Sequence, residues 1–300
     1  MRNIISLTDL SSDEFMQVLN RADFLAEAWR ANQMPQCLQN KQVGLWFYGQ
    51  GFRNRVAFEI GARAMGASVS YIPGELGVHE PLEDIGHYLD KWFDILVIRA
   101  KNHSDLQFLA DHTDACVVNA RTDYNHPCEI IGDLQFIRKR RGSLDGLKVA
   151  FAGEVTNLCM SWFEAAVRLP ISVTQVAPSG YRADKDLLAR LNAEAVGEIR
   201  VCDEIEPLLY DVDLIYTDCW PYASNDDEKQ KIKSLFLPYQ ITDRHLRLLK
   251  QEALFLPCPP VTRGQEVSVD AMESKFCLND QAKEYLLHSQ NALLEFLVSL

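Results

Sequence analysis

No apolar run in this 300-residue chain is long enough to span a bilayer. Its first residues, Met1-Arg2-Asn3-Ile4-Ile5-Ser6, lack the long apolar core of a secretory signal. There is no C-x-x-C pair, and the eight cysteines show no zinc-like spacing against the seven histidines. That excludes a cysteine-based metal motif, and the thiols read as free and mostly buried in a reducing cytosol. Low-complexity segments and short repeats are also missing. Positive charge is scarce: 30 Lys and Arg against 42 Asp and Glu give a formal net charge of −12. Such a balance argues against nucleic acid or an anionic membrane as the main partner. Local basic clusters therefore stand out.

With 47% hydrophobic and 24% charged residues, the chain has a soluble globular composition. Its length is natural for two domains. The organising stretch is Leu45 to Glu59, where the apolar run Leu45-Trp46-Phe47 meets Gly49 and Gly51 and a helical pattern follows. Val56, Ala57, Ile60 and Ala64 fall at helical spacing, and Gly66 is placed to stop the helix. A strand, a glycine loop and a helix start present unpaired N–H groups to an anion. Arg53 and Arg55 place cations where the helix dipole disfavours them, and a phosphate or carboxylate is a reason for that. A tight turn with two surface arginines remains the local alternative. A dinucleotide site fits less well, because the third glycine of G-x-G-x-x-G is absent.

Ser11 to Ala31 reads as an amphipathic helix, with Ser11 and Glu14 spaced as a capping box. Further on, Ala67–Ile72, Asp94–Ile98 and Ala115–Val118 read as strands, with a helix over Glu80–Trp92 and another from about Pro127 to Arg141. A second series has strands over Leu147–Ala152, Ile171–Val176, Glu198–Val201 and Val212–Thr217, and Gln281–Leu300 closes the chain as a helix. Alternation of this kind predicts an α/β protein with two doubly wound parallel-sheet domains. The boundaries expected are 1–141, 142–280 and a C-terminal helix over 281–300 that packs back on the first domain. Ligands sit at the carboxyl ends of strands in such sheets, and a cleft between domains is the default site. The polar residues expected there are the Gly49–Arg55 loop, Arg99, Asn125-His126-Pro127, Gly153 to Asn157, Asp218 and Pro257 to Pro260. Trp46, Trp92 and Trp162 read as core.

These residues resemble the aspartate/ornithine carbamoyltransferase family over nearly the whole chain. Gly51-Phe52-Arg53-Asn54-Arg55-Val56-Ala57-Phe58-Glu59 resembles the family's S-T-R-T-R-x-x-F-E loop. His126-Pro127-Cys128-Glu129 with Asp133 is similar to H-P-x-Q-x-x-x-D, and Cys258 to Val267 to H-C-L-P-A-x-R-G-x-E-V without its first histidine. The loop from Gly77 to Asp84, Asp218-Cys219-Trp220, and Ala177 to Tyr181 are similar to segments of the ornithine branch, G-H-K-E-S-x-x-D, D-x-W and A-T-P-x-G-Y. The resemblance implies attack of a small amino-acid-like amine on a carbamoyl donor, without metal or organic cofactor, in a cytoplasmic homotrimer. It assigns donor contacts to Gly51, Phe52, Arg53, Asn54, Arg99, His126 and Glu129. Acceptor contacts fall on Asn157, Asp218, Tyr222, Cys258 and Pro259, catalytic roles on Arg99, His126 and Cys258, and the loop reaching a neighbouring subunit on His79.

The motifs also depart from the family pattern. Gly51, Phe52 and Asn54 replace hydroxyl residues, Pro257 the motif's histidine, and Leu286 an arginine two residues before His288. Glu129 replaces a glutamine, and a carboxylate beside a bound phosphate is repelled by it. The departures predict a non-standard carbamoyltransferase. Its alternatives are a catalytically inactive homologue that binds a metabolite or partner, and a transferase with an amidino-like donor that Glu129 contacts.

Overall fold

A computed structural model describes residues 2–299. By its internal contacts the chain divides into two compact units. One comprises the residues up to Ile137 together with those from Lys283 onward, and the other runs from Arg138 to Ala282.

The first unit begins with α1 (Ser12–Arg30), opened by Ser11 and Glu14 in a reciprocal capping box. Then come β1 (Gln42–Phe47), α2 (Phe52–Ala64), β2 (Ser68–Pro73), α3 (Leu82–Leu89), β3 (Ile95–Arg99), α4 (His103–Asp111), β4 (Cys116–Arg121) and α5 (Pro127–Arg141). Its sheet is wholly parallel in the order β2-β1-β3-β4, so the winding reverses between β1 and β3. Val43, Leu45, Ile95–Ile98 and Val117–Val118 are fully buried, which is why these strands read as continuous apolar runs.

The sequence misplaces the buried face of α2. Val56 and Ile60 are 37% and 45% exposed, and the buried residues are Asn54, Phe58, Gly61 and Ala62. Gly61 explains the rotation, since a Cβ there would lie 2.1 Å from Asn291 Oδ1. Trp92 is likewise 62% exposed, because it falls in the turn after α3 and not in a helix reaching Trp92.

The second unit holds β5 (Lys148–Ala152), α6 (Asn157–Arg168), β6 (Ser172–Val176), α7 (Lys185–Glu194), β7 (Glu198–Cys202), β8 (Leu214–Thr217), α8 (Asp226–Phe236), the short α9 (Asp243–Leu246) and β9 (Leu254–Pro257). Its parallel sheet runs β7-β6-β5-β8-β9, reversing between β5 and β8. The strand β9 escaped the sequence reading because its four residues form a short run between polar turns. The last helix, α10 (Asn279–Val298), buries Ala292, Leu293, Leu294 and Leu297; from Lys283 onward it belongs to the first unit.

Candidate active site

In each unit the winding reversal places chemistry-bearing residues at strand carboxyl ends. In the first unit, β1 runs into Gly49 and Gly51, both in left-handed backbone conformations, and α2 starts at Phe52. Arg99 closes β3 and is paired in register with Arg121 at the end of β4. Two guanidinium groups thus leave adjacent strands, and Arg53 acts electrostatically on the same centre. The Arg99 Nε atom is buried and has no hydrogen-bond partner among the described residues. Burial, with Arg121 and Arg53 adding to it, lowers the Arg99 guanidinium to about 10, so it stays charged at neutral pH.

His126 starts the segment that becomes α5 and is 6% exposed. Burial, reinforced by Arg121, Arg99 and Lys283 and opposed by Glu129, drives its pKa down to about 3. It is a neutral imidazole at physiological pH, able to hydrogen-bond without adding charge.

Glu129 is not a bare carboxylate. Lys283 Nζ lies 2.6 Å from its Oε1, and Asn54 Nδ2 donates to its Oε2 at 3.0 Å. Burial alone would raise this carboxyl; Lys283, first among the opposing causes, holds it well below the usual carboxylate range. The expected repulsion of a phosphate is therefore offset from within the protein, and so is the reason to invoke a cationic donor. Among Arg53, Arg99, Arg121, Lys283, Glu129 and Asp133, four cations face two carboxylates, leaving two positive charges in excess.

The loop departures have local causes. A Cβ at Gly51 would lie 2.8 Å from Arg99 Cδ and 3.0 Å from its Nη1, at a φ of +35°. The missing side chain makes room for Arg99. Gly51→Ser therefore strains the turn and displaces the guanidinium. It should lower kcat/KM for the donor roughly tenfold to a hundredfold, measured by donor titration at saturating acceptor. Phe52 is 57% exposed with the Arg53 guanidinium 4.9 Å from its ring centroid, so its bulk stays in solvent. Arg55 does not join the cluster, because it pairs with Glu59 at 3.2 Å and covers the Tyr71 ring.

In the second unit, β5 ends at Gly153-Glu154, and Thr156 caps α6 so that Asn157, 7% exposed, is its first residue. Asp218 follows β8, and its Oδ1 accepts from the Cys219 N–H at 2.8 Å. It caps no helix, since the next one starts at Asp226. The Cys258 N–H donates to Thr217 O at 2.9 Å, setting the end of β9 beside that of β8. Cys258 is buried, and the bond between Pro259 and Pro260 is cis.

Burial raises the carboxyl pKa values of Glu154 and Glu266, and Asp218 raises both further. One Glu266 oxygen, Oε2, is buried without a hydrogen-bond partner among the described residues. Two half-buried carboxyls that both feel the Asp218 charge favour a bound cation such as an ammonium group. Nearby, a cavity of about 560 Å³ is lined by Cys219, Trp220, Tyr222, Lys229, Lys233 and Arg263, among others. Tyr222 is 91% exposed at its edge, whereas Cys258 and Pro259 are not among its lining residues. His79 lies in an exposed loop of the first unit, on a groove of about 410 Å³ lined in part by Trp46, Val78, Tyr88 and Trp92.

Two charged residues of the first unit were missed from sequence: Arg121, revealed only by register with Arg99, and Lys283. The cation lacking at Leu286 stands one turn earlier at Lys283 on the same helix. The available signal was the one used for Arg53, a cation in the early turns of a helix.

Among the described residues no group of three His, Cys, Asp or Glu side chains is arranged to hold a metal ion. No helix among them is long and apolar enough to cross a membrane. A parallel α/β module that concentrates cations at its strand ends, followed by one that concentrates carboxylates there, defines a two-module α/β group-transfer enzyme. Residues 2–139 match the aspartate/ornithine carbamoyltransferase carbamoyl-P binding domain, and residues 145–297 the Asp/Orn binding domain of that family. The chain belongs to the aspartate/ornithine carbamoyltransferase family and is a carbamoyltransferase, with its relatives in the ornithine branch. It is 34% identical over 301 residues to the ornithine carbamoyltransferase of Halorhodospira halophila, covering 99% of both chains. With that of Methanosphaera stadtmanae it shares 32% identity, covering 98% of both. The solved ornithine carbamoyltransferase structure from Pyrococcus furiosus superposes with a TM-score of 0.90 at 26% identity, covering 98% of this chain and 96% of that one. The Gloeobacter violaceus structure gives 0.87 at 28%, covering 99% and 98%.

Proposed function

We propose that this enzyme transfers the carbamoyl group of carbamoyl phosphate to an amino group of an ornithine-like diamino acid. The observation that carries the reading is the gathering of Arg99, Arg121 and Arg53 about one buried centre, which suits a phosphate dianion. The acceptor nitrogen attacks the carbonyl carbon, the C–O bond to phosphate breaks, and phosphate leaves with the bonding pair. The amine proton passes to phosphate or water. Arg99 donates to the oxygen on which charge develops, neutral His126 adds a hydrogen bond, and Arg53 with the start of α2 holds the phosphate. On the acceptor side, Asp218 with Glu154 and Glu266 suits an ammonium group, Asn157 an amino-acid end, and Lys229, Lys233 and Arg263 a carboxylate. Cys258 positions the acceptor or carbamoyl group without a covalent bond.

The enzyme is read as a cytoplasmic homotrimer without cofactor. The exposed Trp92, Tyr88 and Val78 beside the His79 loop support an interface between subunits, which a solution mass of three chains checks. The central experiment is a ureido-product assay with carbamoyl phosphate and ornithine, lysine, putrescine or aspartate as acceptor. Ornithine is expected to give the highest kcat/KM. Absence of ureido product with every amine overturns the reading.

A further inference from the structure

Lys283 lies in the second turn of α10, where the helix dipole disfavours a cation, and its side chain is 14% exposed. It bridges two carboxylates of α5: Nζ stands 2.6 Å from Glu129 Oε1, and 2.8 and 3.2 Å from the two oxygens of Asp133. Glu129 and Asp133 are four residues apart on one helix face, 4% and 1% exposed, a like-charge pair that is unfavourable without a cation. From Glu129 the contacts continue into the anion loop. Asn54 Nδ2 donates to Glu129 Oε2, and Gln290 Nε2 donates to Asn54 Oδ1 at 2.7 Å. Glu129 Oε2 also lies 3.9 Å from His126 Nε2.

We propose that Lys283 is a positioning residue of the donor half-site: it holds the Glu129 carboxylate away from proton exchange with His126 and fixes Asn54 at the start of α2. This rests on the carbamoyl phosphate reading and deepens it by naming what allows a dianionic donor to bind beside a buried carboxylate. The groups facing His126 are Glu129 on α5, Arg121 on β4, Arg99 on β3 and Lys283 on α10; only Glu129 favours its protonated form. Without Lys283 the site keeps only one of its two excess positive charges at neutral pH; as the pH falls the Glu129–His126 pair takes up a proton, which restores that charge but ends the neutral state of the imidazole.

The test compares the wild type with Lys283→Met, Lys283→Arg, Glu129→Gln and the double variant Glu129→Gln/Lys283→Met. Lys283→Met should raise the KM for carbamoyl phosphate by about tenfold or more at pH 7, with kcat changed less than about threefold at pH 8. Its kcat/KM profile should gain an acid limb between roughly pH 5 and 7 that the wild type lacks. Lys283→Arg and the double variant should recover donor KM to within about threefold of wild type, although the double variant, having lost the Lys283–Asp133 ion pair, melts lower. That split between KM and stability would not arise from a structural role alone. The imidazole NMR titration of His126 gives a reading independent of turnover: flat from about pH 5 to 8 in wild type, titrating in Lys283→Met and flat again in the double variant. Inorganic phosphate binding by calorimetry should follow the same order.

Equal donor KM losses in Lys283→Met and the double variant, or an unchanged His126 titration in Lys283→Met, overturn the proposal. Should Lys283→Met not fold, Glu129→Gln is compared directly with the double variant; a KM difference of about tenfold or more between them overturns it, and near-equality supports it. Failure of the wild type to form any ureido product would instead count against the donor reading, with the His126 titration still deciding the role of Lys283.

Discussion

Arg99→Ala should lower kcat by about 10²–10³-fold with the fold intact. Arg99 ends β3 at the winding reversal, its Nε is buried without a hydrogen-bond partner among the described residues, and Arg121 and Arg53 crowd its charge. Two like charges beside a desolvated guanidinium are unfavourable, and a bound anion relieves them. Removing Arg99 should therefore leave the protein as stable as before, or slightly more so. Activity falls because a donor aimed at the developing oxyanion is lost. Arg99→Lys should recover little, since an ammonium group cannot reproduce the planar fork of donors. Steady-state kinetics beside a urea melt separate the two effects. A large stability loss with a small change in kcat would assign Arg99 to the scaffold.

Trp162→Ala should destabilise the second unit by about 3–5 kcal/mol, the range for emptying a large aromatic site. Trp162 is fully buried on α6 and meets the ring of Tyr216 edge-on, with centroids 5.3 Å apart. Tyr216 lies on β8, one residue before its end at Thr217, and stacks against Phe151 of β5 at 5.9 Å. This aromatic layer supports the helix α6, which Asn157 opens, and the end of β8, which Asp218 follows, so acceptor KM should rise before donor binding changes. The indole Nε1 is buried without a hydrogen-bond partner among the described residues. Trp162→Phe removes that unsatisfied donor along with some volume, and should cost no more than about 1.5 kcal/mol. Denaturant unfolding of the three proteins checks both values.

The central strands β1, β3, β4, β5 and β8 were legible in the sequence because they are buried on both faces and so appear as nearly uninterrupted apolar runs, whereas the edge strands β2 and β7 are largely exposed. The polar residues that follow those runs in the sequence include Arg99, His126 and Asp218. α5 was read with its observed ends, Pro127 and Arg141. The consequences of contacts made far along the chain were not legible. The buried face of α2 is set by Asn291, which approaches Gly61 from the last helix. Glu129 looked incompatible with phosphate because its counter-ion, Lys283, comes from that helix as well. Arg121 carries no signal of its own in the sequence; only the register with β3 sets it beside Arg99. Trp92 reads as core by hydropathy, yet it belongs to an exposed apolar surface.

The return of α10 to the first unit bears on how the protein is made. Lys283 and Gln290, which complete the Asn54–Glu129 network, leave the ribosome only after the whole second unit has been synthesised. A nascent chain that stops at Ile137 carries Glu129 and Asp133 without the Lys283 ammonium, so the anion-binding module is closed by residues that emerge after the second unit and not by its own leading segment.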